Sequence, residues 1–314
     1  MSAASWREVA AASTSEEDAL PELSDTEAAL ALVLGACPPG ALLNTPSHPV
    51  PCALWHAVYA VVHTPTDVDV EIERLRHQHD VRVLTRPGAG EERLLLRADD
   101  YVRALHTSGI EGADVLAKAL PMCTGATCRR DELLDAMEAV VSAASASEAA
   151  AAAANSATSR PVSLSRRRAS SALDALQQAG WLVACARQHD AALAAGPDEA
   201  PSAAAGSSDA DTWLWGMPAS GRLLFTLTKC RNALLALLHK QKFGRALRAT
   251  AERAPALRKL LEHSRLDLRF VLRDLVGRAL IKSTDTATGT VIELTPAGAQ
   301  AAAAAAPRGK KRGR

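Results

Sequence analysis

Between Ser24 and Thr295 the apolar residues follow two spacings, three-to-four apart and strictly alternating, and these succeed one another in a repeating order. In the first block Asp25 is placed to cap a helix over Thr26–Leu34, which Gly35 and the Cys37–Gly40 run bring to an end. A second helix fits Cys52–His63, with Leu54, Trp55, Val58, Val61 and Val62 facing a core. The break at Thr64-Pro65-Thr66 starts a third, Asp67–Gln78, carrying Val68, Ile72 and Leu75 at helical spacing. Alternation then predicts strands over Val81–Thr85 and Arg93–Arg97, joined by a Pro87–Gly90 turn.

The order recurs twice. Helices are expected over Val115–Leu120, Arg129–Val141 and Ser163–Ala179, followed by strands Trp181–Ala186 and Thr212–Met217. Pro218 then opens a long helix to about His239, a shorter helix covers Phe243–Glu252, and a third runs over Arg265–Val276. Strands Ala279–Ser283 and Thr290–Thr295 close the cycle around a Thr284–Gly289 turn. Three helices and a hairpin form the winged-helix order, in which the third helix reads a groove and the hairpin tip is the wing. The expected fold is therefore α+β, mainly helical, with three tandem winged-helix units over 24–110, 111–217 and 218–298. Ala/Ser-rich stretches at 142–160 and 189–210 read as insertions of loop or frayed helix, and 1–23 and 299–314 as disordered tails.

Composition changes the picture in three places. Alanine is so common that Ala-rich stretches carry little weight, and only 3% of residues are aromatic. No apolar run is long enough to span a bilayer and no signal pattern opens the chain, so a soluble intracellular protein without membrane partners is expected. Of the six cysteines only Cys123 and Cys128 lie close together, without a second pair, so buried thiols are favoured over a metal site. The net charge of +1 hides a polarity: 1–50 holds seven acids against Arg7 alone, whereas 222–282 holds fifteen Lys/Arg against four acids.

That polarity points to a polyanion for the third unit. Lys229, Arg231, Lys240, Lys242 and Arg245 recur at spacings able to share one face; Arg265, Arg269 and Arg273 fall on the third helix and Lys282 on the first wing strand. Each is a candidate DNA phosphate contact, and each taken singly reads equally well as a solvated surface residue. By contrast, Asp67, Asp69, Glu71 and Glu73 on the third helix of the first unit would repel phosphate, so that face suits a protein. Arg166-Arg167-Arg168, opening the third helix of the second unit, fits nucleic acid, a solvated run or a localisation signal alike. Trp55, Trp181, Trp213 and Trp215 read most simply as packing residues.

The stretch Trp213-Leu-Trp-Gly-Met-Pro218, Gly221-Arg222-Leu223, Lys229-x-Arg231-x-Ala233-Leu-Leu and Lys240-x-Lys242-Phe243 carries a resemblance, together with Arg253-Ala254-Pro255, Asp274–Gly277 and the Thr288–Thr290 tip. These motifs resemble the serine/threonine-protein kinase 19 family. The resemblance implies three winged helices, double-stranded DNA as a partner, and a role in transcription-coupled nucleotide excision repair in the nucleus. It also implies bridging of the RNA polymerase II repair assembly, with its Cockayne syndrome A subunit, to the TFIIH helicase. The basic run expected before the first unit is missing here, which leaves Lys310, Lys311 and Arg312 as the candidate nuclear localisation signal.

The family's kinase name is not matched by kinase chemistry. Phosphoryl transfer requires a Gly-rich loop, a Lys–Glu pair, a catalytic Asp and a metal-binding Asp. Pro87–Gly90 lacks the third glycine, Leu272 stands where a catalytic-loop His belongs before Arg273-Asp274-Leu275, and Asp-Phe-Gly is absent from the sequence. No enzyme activity, cofactor or metal is expected, and Asp274 reads as a polar position near a helix end. The competing reading is a protein-interaction scaffold whose basic faces serve only solubility.

Overall fold

A computed structural model of the chain describes residues 23–37, 50–85, 92–123, 125, 127–153, 166–184 and 212–305. The expected N-terminal tail, the Pro87–Gly90 turn, the 189–210 insertion and the Lys310–Arg312 signal lie outside them. So do 154–160 of the other insertion.

Unit 1 begins with α1 (Asp25–Gly35), held at its start by a capping box in which Ser24 and Glu27 exchange side-chain and backbone hydrogen bonds. Next come β1 (Ala53–Leu54), the short α2 (Trp55–Tyr59), α3 (Pro65–His77), β2 (Val81–Thr85) and β3 (Arg93–Arg97). Pro65 stands at the start of α3, where its missing N–H costs nothing. Both predicted strands fall on the expected residues, but the expected Cys52–His63 helix begins as a strand and ends by Tyr59.

A helix not expected from the sequence follows without a break, α4 (Ala98–Thr107). Its Tyr101 is fully buried, stacks edge-on to Trp181 at 5.3 Å and donates a hydrogen bond to the Gly216 carbonyl at 3.0 Å. Unit 2 comprises α5 (Ala113–Ala119), β4 (Thr127–Arg129), α6 (Arg130–Ala153), α7 (Arg166–Gln178), β5 (Leu182–Ala184) and β6 (Thr212–Trp215). The Ala/Ser tract read as an insertion from 142 continues α6 as far as Ala153. Strands β5 and β6 pair antiparallel from Leu182↔Trp215 to Ala184↔Trp213, on either side of the second insertion.

Unit 3 comprises α8 (Ser220–Lys240), β7 (Arg245–Leu247), α9 (Arg248–Arg253), α10 (Pro255–Ser264), α11 (Leu268–Gly277), β8 (Ile281–Thr286), β9 (Gly289–Leu294) and α12 (Pro296–Ala305). Two expectations are corrected here. The helix placed over Phe243–Glu252 is a strand in its first half, because β7 pairs with β9 from Arg245↔Glu293 to Leu247↔Val291. The alanine run placed in a disordered tail from 299 is helical to Ala305, with Gly298 and Ala302 buried against the unit. Only a glycine permits that approach, since a Cβ at 298 would overlap the Leu280 carbonyl oxygen. The wing turn is also tighter than expected, two residues wide with Gly289 at φ +119°.

Each unit folds one three-stranded antiparallel sheet with the late strand in the middle, in the orders β1-β3-β2, β4-β6-β5 and β7-β9-β8. This is the winged-helix arrangement three times over, a mainly helical α+β fold. The units are not independent. On β2 the alternation predicts an outward-facing Arg82, yet this residue is buried beneath unit 2. Its guanidinium donates to the Leu120 and Cys123 carbonyls and lies 5.4 Å from the Trp215 ring. On the other side, α11 of unit 3 packs along α2 of unit 1, where Gly277 meets the His56 carbonyl so closely that any Cβ would overlap it. Gly277→Ala is therefore expected to lower stability by about 1–3 kcal/mol, measured by urea unfolding, although alanine is the better helix former.

Candidate nucleic-acid interface

The nine cations singled out in unit 3 separate into three environments. Arg231 points inward. It is 7% exposed, on the same side of α8 as Leu227, Leu234, Leu235 and Leu238. Its guanidinium meets Glu92 at 2.5 Å and Asp274 at 2.5 Å. Arg278 bonds the same two carboxylates, at 2.7 Å and 3.1 Å. Arg231 is thus removed from the expected DNA-contacting set: a guanidinium committed to two buried carboxylates cannot reach a phosphate without breaking the fold.

The sequence reading assigned none of these partners. Glu92 precedes β3 of unit 1, whereas Arg231, Asp274 and Arg278 belong to unit 3, so the cluster is an inter-unit tie of two positive and two negative charges. Burial works against the Arg231 charge, but Asp274 and Glu92 outweigh it and raise the guanidinium pKa above its ordinary value. Beside the cluster, burial and the Arg278 charge hold His56 below the usual histidine pKa. Asp274, expected near a helix end, is fully buried within α11.

The second environment is the helix–turn–helix of α10 and α11. Asp267 caps α11 by accepting from the Arg269 backbone N–H at 3.1 Å. Leu268, Phe270, Val271, Leu272, Asp274 and Leu275 are all buried, which leaves Arg269 exposed and Arg273 half-exposed one turn on, along a single line. Arg265, in the turn ahead of them, is exposed and occupies the left-handed region at φ 55°, an uncommon conformation for a residue other than glycine. Strand β8 is exposed from Lys282 to Thr286, so the wing stands free of the core. No described carboxylate forms an ion pair with Arg265, Arg269, Arg273 or Lys282.

The third environment is the outer side of α8 and the turn beyond it. Lys229 lies two residues from Arg231, which at about 100° per residue places it on roughly the opposite side of the helix. Its ammonium sits 4.2 Å from the exposed Phe225 ring. Lys240 and Lys242 are exposed near the end of α8, and Arg245 on β7 pairs with Glu293 at 2.7 Å. The structure therefore brings Arg265, Arg269 and Arg273 together and sets Lys229 apart from Arg231. It also adds an aromatic residue that the charge count overlooked, Phe243, which is 78% exposed.

Units 1 and 2 present different chemistry. The outward line of α3 holds Asp67, Val70, Arg74 and His77, with Val70 66% exposed. Asp69 is taken up by the Trp55 indole N–H and the Tyr59 hydroxyl, and Glu71 by Arg74 and Ser24. At the head of α7, the exposed Arg166 faces Asp131 at 3.4 Å and Asp135 at 3.5 Å. The four tryptophans are all buried, as the packing reading has it. Cys52, Cys128 and Cys230 are buried as well, and burial raises the Cys128 thiol to about 12.

No helix among the described residues is long and apolar enough to cross a membrane. A sequence profile of the family described as inactive serine-threonine protein kinase 19 matches residues 41–294. The chain is also similar to the human protein winged helix repair factor 1, with 31% identity over 88 residues. That alignment takes in 27% of this chain and 32% of the human protein, so it spans about a third of that relative's length.

The buried cluster and the surface stripe should respond oppositely to the same substitution. Arg231→Ala leaves Glu92 and Asp274 under-compensated and is expected to cost about 3–5 kcal/mol. Arg269→Ala, at the surface, should shift stability by no more than about 0.5 kcal/mol. Chemical denaturation of the two variants measures the contrast.

Proposed function

Because the chain belongs to the inactive serine-threonine protein kinase 19 family, we propose that it is a non-enzymatic DNA-binding adaptor of transcription-coupled nucleotide excision repair, working in the nucleus. The observation that carries the reading is the single line of arginines left open on α11. Every other side of that helix is packed, yet Arg269 in its first turn, the preceding Arg265 and Lys282 on the first wing strand remain exposed and without a carboxylate partner among the described residues. In a winged helix these are the elements that enter a groove and flank it.

The contacts this surface offers are cations, which neutralise phosphates and position a duplex without reading its sequence. Lys240, Lys242 and Arg245 extend the positive surface at the end of α8, and Lys229 stands three turns earlier on the same side of that helix as Lys240. The outward line of α3 in unit 1, with its exposed Val70, and unit 2 suit protein partners. In this reading they meet the RNA polymerase II repair assembly with its Cockayne syndrome A subunit, and the TFIIH helicase. The similarity to a human protein named as a winged helix repair factor supports the repair context. The family description as inactive supports the absence of phosphoryl transfer. Lys310, Lys311 and Arg312 are proposed as the nuclear localisation signal.

The test is duplex-DNA binding by fluorescence anisotropy across a salt series. Each phosphate contact contributes about 0.9 to the slope of log affinity against log salt. A triple Arg265/Arg269/Lys282→Ala variant is expected to flatten the slope by about 2–3. A wild-type protein that is folded yet fails to bind duplex at low salt would leave the protein scaffold as the better reading.

A further inference from the structure

The chain has three phenylalanines; Phe270 is buried in α11, and the other two stand in solvent on the basic unit. Phe243 is the more exposed, and its backbone is the stranger. The turn from α8 into β7 closes with the Gly244 N–H bonding the Gln241 carbonyl at 3.1 Å, which makes Phe243 its third residue. At φ 64°, ψ 15° it sits in the left-handed region, where such a turn takes glycine or asparagine. A glycine is available one position later, at 244, and itself adopts φ +64°.

Nothing in the fold asks for a phenyl ring there. The ring is not part of the core, and its position costs both apolar exposure and backbone strain. What surrounds it is positive. The Lys242 ammonium lies 5.0 Å from the ring centre, and Lys240 and Arg245 flank the turn. Glu293, the carboxylate opposite Arg245 on β9, is held by that arginine. An apolar protein partner would have to bury these cations without compensation. A nucleobase, by contrast, offers a flat face to the ring and a phosphate on either side to the lysines.

We infer that Phe243 is a stacking residue for an unpaired base, so that the protein engages the junction where single-stranded DNA leaves a duplex. The inference rests on the proposed duplex grip of unit 3 and adds a preference for DNA that is locally open. Base pairs within a duplex hide their faces from a side chain, so the Phe243 contact arises only where a strand has come unpaired.

The test compares two probes on the full chain, a blunt duplex and the same duplex carrying a single-stranded extension, the latter with 2-aminopurine at the first unpaired positions. The wild type is expected to bind the extended probe about ten-fold more tightly and to quench the 2-aminopurine fluorescence. Phe243→Asn, which suits the left-handed turn, should melt no lower than the wild type, lose the quenching and bind both probes at the blunt-duplex level. Phe243→Trp should keep the preference. Equal affinity of the wild type for both probes, or a preference that survives Phe243→Asn, would overturn the inference while leaving duplex binding intact. Failure to bind either probe would instead remove the underlying reading, and the inference with it.

Discussion

A glutamate at the edge of one winged helix and an arginine inside another set the arrangement of the molecule. Glu92 accepts from both Arg231 and Arg278, and Asp274 accepts from the same pair, in a volume from which water is largely excluded. Three buried charges with Arg278 at their margin are an unforgiving arrangement, since each buried member alone would be severely penalised for leaving water. They balance only when units 1 and 3 are in contact. The same contact lays α11 along α2 and presses Gly277 against the His56 carbonyl. Docking therefore supplies the second carboxylate that the two guanidiniums need beyond the Asp274 they hold within unit 3.

This constraint shapes the surface as well. A recognition helix in an isolated winged helix has a broad solvent face, but α11 is enclosed by its own unit on one side and by unit 1 on another. What remains open is a narrow strip, and arginine occupies it at positions 269 and 273. The interior and exterior arginines of unit 3 differ in their neighbours rather than in type. Arg231 shares its helix side with Leu227, Leu234 and Leu238 and meets carboxylates; Arg269 meets solvent. On the opposite flank of unit 1, Arg82 follows the interior pattern with carbonyls and the Trp215 ring as partners in place of acids.

Much of this was legible beforehand where a pattern is long enough to register. Helices closed by Gly35 and Gly180 and the β2–β3 hairpin all follow from spacing and turn residues. The strands β1, β4 and β7 were not, because two or three residues cannot display alternation. Helix α4 was hidden by its direct continuation from β3, although Tyr101, Ala104 and Leu105 do carry helical spacing. Helix α12 was hidden by its composition, since an alanine run shows no contrast between faces and only Gly298 and Ala302 mark the buried one. The candidate site was misread at Arg231 for a related reason. Counting cations by segment ignores which side of the helix each one occupies, and the leucines around Arg231 already marked it as interior. Phe243, present in the sequence only as part of a motif, was given no role because a charge count does not register an aromatic ring.

The pairing of β5 with β6 shows how the chain accommodates extra length. Their register, Leu182↔Trp215 through Ala184↔Trp213, is held by ladder bonds, by β4 on the far edge and by Tyr101 beneath. Residues 185–211 join two ends whose separation is already set. Loop-closure entropy grows only with the logarithm of length, so doubling such a connection costs about 0.6 kcal/mol. The β5–β6 register thus sets no tight limit on the length of chain between its strands, in contrast to the two-residue tip between β8 and β9, where any added residue would change the wing itself.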